Sequence, residues 1–293
     1  MHMVNNKMSL NYIYNGDIEN SRVSGNGIFS GTRLNSVYQP ILDHQNYLLV
    51  GFEALSRPVV DGRPMNPLTW FHQMATEKNA WVADLWAIRL AFESFLGSPI
   101  NSISLLLFVN MIPTSVMSAQ FLPTIERLFQ FTGISPQNVV FELVEYTNTW
   151  LPGLQERLQL LRDLGAKIAM DDVGVGTGDL QALVLFEPDY MKLDRSLVDG
   201  VSQSTAKQRM LRALARYGDE SHHWVAEGIE QYDDLVVTRE LGFRLSQGFY
   251  WGQPLPSQKL SSLQMDGELY RTRMEDMTHR KTDISPYPPL LIK

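Results

Sequence analysis

The chain has 293 residues, 44% of them hydrophobic, and its 32 acidic side chains outnumber 25 Lys and Arg for a formal net charge of −7. That length accommodates one barrel-sized domain or two ordinary ones, while 19% charged and 10% aromatic residues exclude a disordered chain. With no cysteine there is no disulfide framework, thiolate zinc site, iron–sulfur cluster or thiol nucleophile, and the acidic balance argues against a nucleic-acid polymer as partner, which needs a basic face.

Residues 1–35 are rich in Asn, Ser and Gly with little apolar periodicity, and are expected to form a flexible N-terminal arm. The polar N-terminus lacks the apolar core of a signal peptide, and no run approaches the ~18 apolar residues of a membrane helix. A cytoplasmic protein without a membrane partner is therefore expected. A first strand is predicted over 36–42, and Asp43-His-Gln-Asn46 turns it into a second over 47–54. Helical patterns follow over 68–76 and 81–96. From there strands over 103–109, 139–144, 167–170, 190–193, 223–226 and 243–246 alternate with helices over 121–131, 154–164, 180–185, 204–217 and 232–241. Gly133, Gly165 and Gly242 sit where a helix ends in a left-handed residue. The tail 258–293 is read as an appendage with a polar helix over 263–279, stopped by Ser285-Pro-Tyr-Pro-Pro289. A hairpin followed by strand–helix repeats predicts a (β/α)8 barrel over 36–257 with its first strand antiparallel; a doubly wound open sheet is the alternative.

A barrel of this kind places its site at the C-terminal ends of the strands. The second strand ends in Glu53 and the third in Asn110; the fourth carries Glu142 and ends in Glu145. The fifth ends in Asp171-Asp172, the sixth with Lys192 and Asp194, the seventh in Glu227 with Glu230 beyond it, and the eighth in Gln247. One such residue alone is an ordinary helix cap. Carboxylates gathered in one concavity repel, and divalent cations are the simplest compensation. Oxygen ligands without Cys or His favour Mg²⁺, Mn²⁺ or Ca²⁺ over Zn²⁺, and the adjacent aspartates suit a two-metal site for phosphoryl displacement.

Gly51-Phe-Glu-Ala-Leu-Ser-Arg57 resembles the signature of the EAL-domain family, bacterial phosphodiesterases specific for cyclic di-GMP. Seven further elements of the family pattern lie along the chain. Before the signature is Tyr38-Gln-Pro-Ile41, and after it come Val109-Asn-Met-Ile-Pro113, Phe141-Glu-Leu-Val-Glu145 and Met170-Asp-Asp-Val-Gly174. Met191-Lys-Leu-Asp-Arg195, Ala226-Glu-Gly-Ile-Glu230 and Gln247-Gly-Phe-Tyr-Trp-Gly-Gln-Pro254 complete the set.

The resemblance implies a modified TIM (β/α)8 barrel that hydrolyses cyclic di-GMP to linear 5′-pGpG with two divalent cations, Mg²⁺ or Mn²⁺; Ca²⁺ would bind without supporting turnover. By the same resemblance Glu53, Asn110, Glu142 and Asp171 hold one ion. Asp171 bridges to a second, which Asp172 and Glu227 complete. Lys192 orients the attacking water, with Glu227 a candidate base and Glu53 indispensable. Gln39, Leu55, Arg57, Asp194, Glu230, Gln247 and Pro254 contact substrate, Arg57 at a phosphate, and Glu145 anchors the loop after the paired aspartates. A homodimer is implied as well, and a protein partner would use the terminal arms.

That loop departs from the family pattern. Val173 stands where the family has Phe, Val175 where it has Thr, and Thr177-Gly-Asp179 where it has Tyr-Ser-Ser. A second reading therefore stays open: an impaired EAL domain that binds cyclic di-GMP or a protein without hydrolysis. His222-His223 is read as structural, as are Trp70, Trp81 and Trp86. Guanine stacking by Tyr250 or Trp251 has no positional support.

Overall fold

The computed structural model describes Phe29 and residues 31–76, 79–100, 104–144, 151–175, 179–218 and 223–263. Eight strands close into a barrel: β1 (Thr32–Asp43), β2 (Leu48–Val60), β4 (Leu106–Met111), β5 (Val139–Leu143), β6 (Lys167–Val173), β7 (Tyr190–Leu193), β8 (His223–Ala226) and β9 (Leu245–Gln247). From β2 to β9 each pairs parallel with the next. The first strand closes the ring and runs antiparallel to both its neighbours. Two short strands lie outside it, β3 (Arg63–Pro64) on β2 and β10 (Leu255–Pro256) on β1. The closed ring removes every edge from the barrel wall, and rules out the open sheet.

Helices α1 (Pro67–Thr76), α2 (Ala80–Leu96), α4 (Phe121–Thr132), α5 (Leu154–Asp163), α6 (Asp179–Phe186), α8 (Thr205–Ala215) and α9 (Tyr232–Glu240) surround it, with one-turn helices α3 (Pro113–Val116) and α7 (Arg195–Val198). Two apolar layers lie between helices and strands. Trp70 and Trp86 belong to the first, where Phe29 closes against both rings, and Trp81 packs against it. Burying a large side chain of this kind stabilises by roughly 1.5–3 kcal/mol. Gly133 ends α4 at φ 75°, its N–H donating to Phe129 O, so the predicted left-handed terminus is present.

β1 and β2 differ most from the sequence expectation. β1 begins at Thr32, inside the stretch read as an arm, and β2 continues to Val60 rather than stopping at residue 54. The two extensions need each other: Thr32 pairs with Val60 and Asn35 with Arg57. The eighth strand is displaced to Leu245–Gln247 because it pairs with β8 through Leu245 and Val225. The expected polar helix over 263–279 lies outside the described residues except for Leu263, and His222 does too; His223 opens β8. Among the described residues no helix is long and apolar enough to cross a membrane.

Candidate functional site

Side chains alternate along a strand, so every second residue points inward. Ile41, Phe108, Val140, Ala169, Tyr190, Val225 and Leu245 fill the barrel interior. Two positions further toward the C-terminal mouth lie Asn110, Glu142, Asp171, Lys192, Glu227 and Gln247. β1 runs the other way, so its corresponding residue is Gln39, which pairs directly with Glu53. One polar layer thus sits on one apolar layer. At Gly51, two residues before Glu53, a Cβ would stand 2.1 Å from the Leu106 carbonyl oxygen. Glycine there lets β2 press against β4 and sets Glu53 at the level of Phe108.

Lys192 is the centre of the layer. Its side chain is 1% exposed, and Nζ lies 2.7 Å from Glu227 Oε1, 2.9 Å from Asp171 Oδ1, 3.0 Å from Glu142 Oε1 and 3.2 Å from Glu53 Oε2. Amides complete the frame. Asn110 Nδ2 donates to Glu53 Oε1 at 3.1 Å, and Gln247 Nε2 donates to Glu53 Oε2 at 2.7 Å and to Gln39 Oε1 at 3.1 Å. Asp84 fastens the turn after Asn110 from behind, its Oδ2 accepting from Ile112 N at 2.7 Å. Burial pushes that carboxyl up to about 7.

Adjacent residues on a regular strand face opposite ways, yet Asp171 and Asp172 both face the mouth beside Glu227. The β6–β7 register slips between Met170 and Val173, and Asp172 takes φ 52°. This bulge turns two consecutive carboxylates toward one mouth, at a backbone cost of order 1–3 kcal/mol. Ligand atoms of Asp171, Asp172 and Glu227 lie within 4.8 Å of one another.

The charges do not balance. Burial drives the carboxyls of Glu142 and Glu227 well above the usual range, and neighbouring carboxylates reinforce it while Lys192 opposes it. Asp171 is raised by burial and by Glu53 against the pull of Lys192. Asp172 rises to about 6, through burial and the charge of Asp171. Glu53 is the exception: burial raises it, but Lys192, Gln247 and Asn110 together hold it below its ordinary value. Burial disfavours the ammonium of Lys192, and the four carboxylates overcome this and keep it protonated. Glu142 Oε2 is fully buried and accepts no hydrogen bond. A hard divalent cation fits this set: oxygen donors only, excess negative charge and an orphaned carboxylate oxygen.

Above the layer opens a cavity of about 280 Å³, lined by Gln39, Glu53, Leu55, Asp171, Lys192, Glu227, Glu230 and Gln247 among the anticipated residues. Asn110, Glu142 and Asp172 join through the contacts described. Three other anticipated residues are not part of the cavity lining. Arg57 is exposed four residues beyond Glu53 on the same face of β2, its Nη1 donating to Ser56 O at 2.9 Å. Asp194 caps α7, accepting from Ser196 N at 2.8 Å. Pro254 is half-buried just before β10. Glu145 lies outside the described residues. Two residues not anticipated as site members, Arg195 and Phe249, line the cavity. Each lies within a motif already singled out, Met191–Arg195 and Gln247–Pro254, which was the available signal. Trp251 is buried and donates to Ser246 Oγ at 2.8 Å, which removes it as a stacking surface.

An eight-stranded barrel with one reversed strand and a lysine-centred carboxylate layer at its mouth defines a class: modified TIM barrels whose mouth is consistent with divalent-cation binding. The family model described as EAL domain matches residues 26–254, and the chain belongs to that family. The cyclic di-GMP phosphodiesterase RocR of Pseudomonas aeruginosa is 33% identical over 235 residues, covering 75% of this chain and 57% of that protein. BlrP1 of Klebsiella pneumoniae, in a manganese and cyclic di-GMP complex, superposes with a TM-score of 0.68 at 27% identity, over 76% of this chain and 56% of BlrP1. An uncharacterized protein of Azorhizobium caulinodans is 28% identical over 77% of this chain. The chain spans about a third of the length of the first curated relatives it matches.

Proposed function

We propose that this chain hydrolyses cyclic di-GMP to linear 5′-pGpG in a reaction that depends on divalent cations. The observation that carries the reading is the polar layer itself, where one buried lysine faces four carboxylates and Glu142 keeps an oxygen without a hydrogen bond. Glu53, Asn110, Glu142 and Asp171 would hold one ion, and Asp171, Asp172 and Glu227 a second, with Mg²⁺ or Mn²⁺ the fitting species. When bound, such ions supply positive charge to a phosphate and acidify a water.

The chain's own residues do the rest. Lys192, held protonated among these carboxylates, would orient the attacking water. Glu227 sits at the rim beside Lys192, Nζ to Oε1 at 2.7 Å, and is placed to take the proton of that water. Gln247 holds Glu53 and is itself braced on Gln39, and both amides line the cavity. The water oxygen bonds to phosphorus, the P–O3′ bond breaks, and the 3′-oxygen leaves with a proton. Arg57 lies along the same face for the second phosphate.

The altered loop supports the alternative of binding without hydrolysis. Val173 is buried in the barrel–helix layer, and Val175 is 58% exposed, where neither offers a hydroxyl or an aromatic ring. One incubation separates the two. Pure protein, cyclic di-GMP and Mn²⁺ should yield pGpG on chromatography, and Glu53→Ala should abolish it. Binding without product, beside a control enzyme that turns over, would favour the receptor reading.

A further inference from the structure

We infer that Arg195 is a specificity-determining residue that reads a guanine of the ligand at its O6/N7 edge. The inference rests on the cyclic di-GMP reading of the same cavity. Arg195 contributes the only guanidinium to the cavity lining among the described residues. It opens α7, three residues beyond Lys192. Its stem crosses Gly228, where a Cβ would come within 2.3 Å of Arg195 Cγ. Gly228 is at φ 68°, so the backbone and the missing side chain together leave the path that Arg195 takes over the mouth. The head reaches Glu230, Nη1 to Oε1 at 2.7 Å, while the side chain stays 52% exposed.

This position suits a base better than a phosphate. A phosphate at Arg195 would also meet the Glu230 carboxylate and the excess negative charge of the layer below. A neutral base meets neither penalty. Guanine presents two acceptors, O6 and N7, that match the guanidinium fork; adenine presents N7 beside an amino donor that repels it. Phe249 supplies the second half of a base site. It lines the same cavity and is 46% exposed. It is held there by Gly248, where a Cβ would lie 2.1 Å from the Ile229 carbonyl oxygen. An exposed ring and a guanidinium lining one cavity offer a stacking face and an edge-reading fork for a base.

The test is calorimetric binding of cyclic di-GMP and cyclic di-AMP, which share both phosphates and the ring, to wild type, Arg195→Ala and Arg195→Lys with Ca²⁺ present. Thermal unfolding of each variant checks that it is folded. Arg195→Ala is expected to weaken cyclic di-GMP by roughly 10- to 100-fold, the range of one bidentate base contact, and to leave cyclic di-AMP unchanged. Arg195→Lys keeps the charge and loses the fork, and is expected to stay near the Ala variant. An equal loss for both ligands would place Arg195 at a phosphate and overturn the inference. So would full recovery in Arg195→Lys, or unchanged binding in Arg195→Ala. If wild type binds cyclic di-GMP and the variants match it, Arg195 alone is refuted. If wild type binds neither ligand, the cyclic di-GMP reading falls and takes this one with it.

Discussion

Lys192 stands in for charge that the carboxylates otherwise lack. A lone ammonium cannot neutralise Glu53, Glu142, Asp171 and Glu227 together, and three of these four have their protonated forms favoured. Removing one partner of a buried ionic cluster typically costs about 3–5 kcal/mol, because the other charges remain without compensation. Lys192→Met should therefore lower the metal-free melting temperature. The loss should be larger at pH 8 than at pH 5.5, since carboxyls with raised pKa values take up protons in the acidic range and relieve the repulsion. The same variant should lower turnover by 10²-fold or more, as removal of a preorganised electrostatic donor does. A Lys192→Met protein with wild-type melting at pH 8 would show that the cluster is already protonated and that Lys192 carries little of its stability.

At the scale of elements, the hairpin of β1 and β2 is tied to the barrel floor by a buried histidine. His44 Nε2 donates to Phe243 O at 2.6 Å and Ser246 Oγ donates to His44 Nδ1 at 2.8 Å; the second bond needs the neutral ring, because a protonated Nδ1 cannot accept. Burial lowers its pKa to about 4 from an ordinary 6.5. A depressed folded-state value gives stability that is complete above pH 6.5 and is lost as pH falls toward 4. Between pH 7.5 and 5 the loss is about 2 kcal/mol. His44→Asn keeps polar atoms without the titration, so its urea midpoint should fall less over that window; an identical pH profile would place the acid sensitivity elsewhere. The hairpin also shows what the sequence carried. β7 and β8 occupy the predicted residues, since Tyr190–Leu193 and His223–Ala226 are short, mostly apolar runs that end at a charged residue, Asp194 and Glu227. Most of the polar layer was legible for the same reason, each site residue lying one inward step beyond an apolar one. The extensions of β1 and β2 were not, because Thr32–Asn35 is strand only through pairing with Arg57–Val60, a tertiary contact with no local period. Arg195 and Phe249 were missed although their motifs were read, because the spaces at Gly228 and beside Gly248 are what bring them to the mouth.

For the whole molecule, acidity is a matter of distribution more than of amount. The chain carries a formal −7, and Glu53, Glu142, Asp171, Asp172 and Glu227 gather about one ammonium at one end of the barrel. Self-repulsion of that kind weakens the folded state, and a cation that binds only the folded state restores it by mass action. At a free concentration a hundred times its dissociation constant, one bound ion adds about 2.7 kcal/mol. For a domain of this size that corresponds to a rise in melting temperature of roughly 5–10 °C. Ca²⁺ and Mn²⁺ should both produce it, Na⁺ at matched ionic strength should not, and Glu142→Gln should blunt it by replacing the buried carboxylate with an amide. The measurement is independent of turnover, so it reports on the site even in a protein that binds cyclic di-GMP without cleaving it. A shift with Ca²⁺ that survives Glu142→Gln unchanged would mean that the ions bind the outer acidic surface, and that the orphaned oxygen of Glu142 has some other partner.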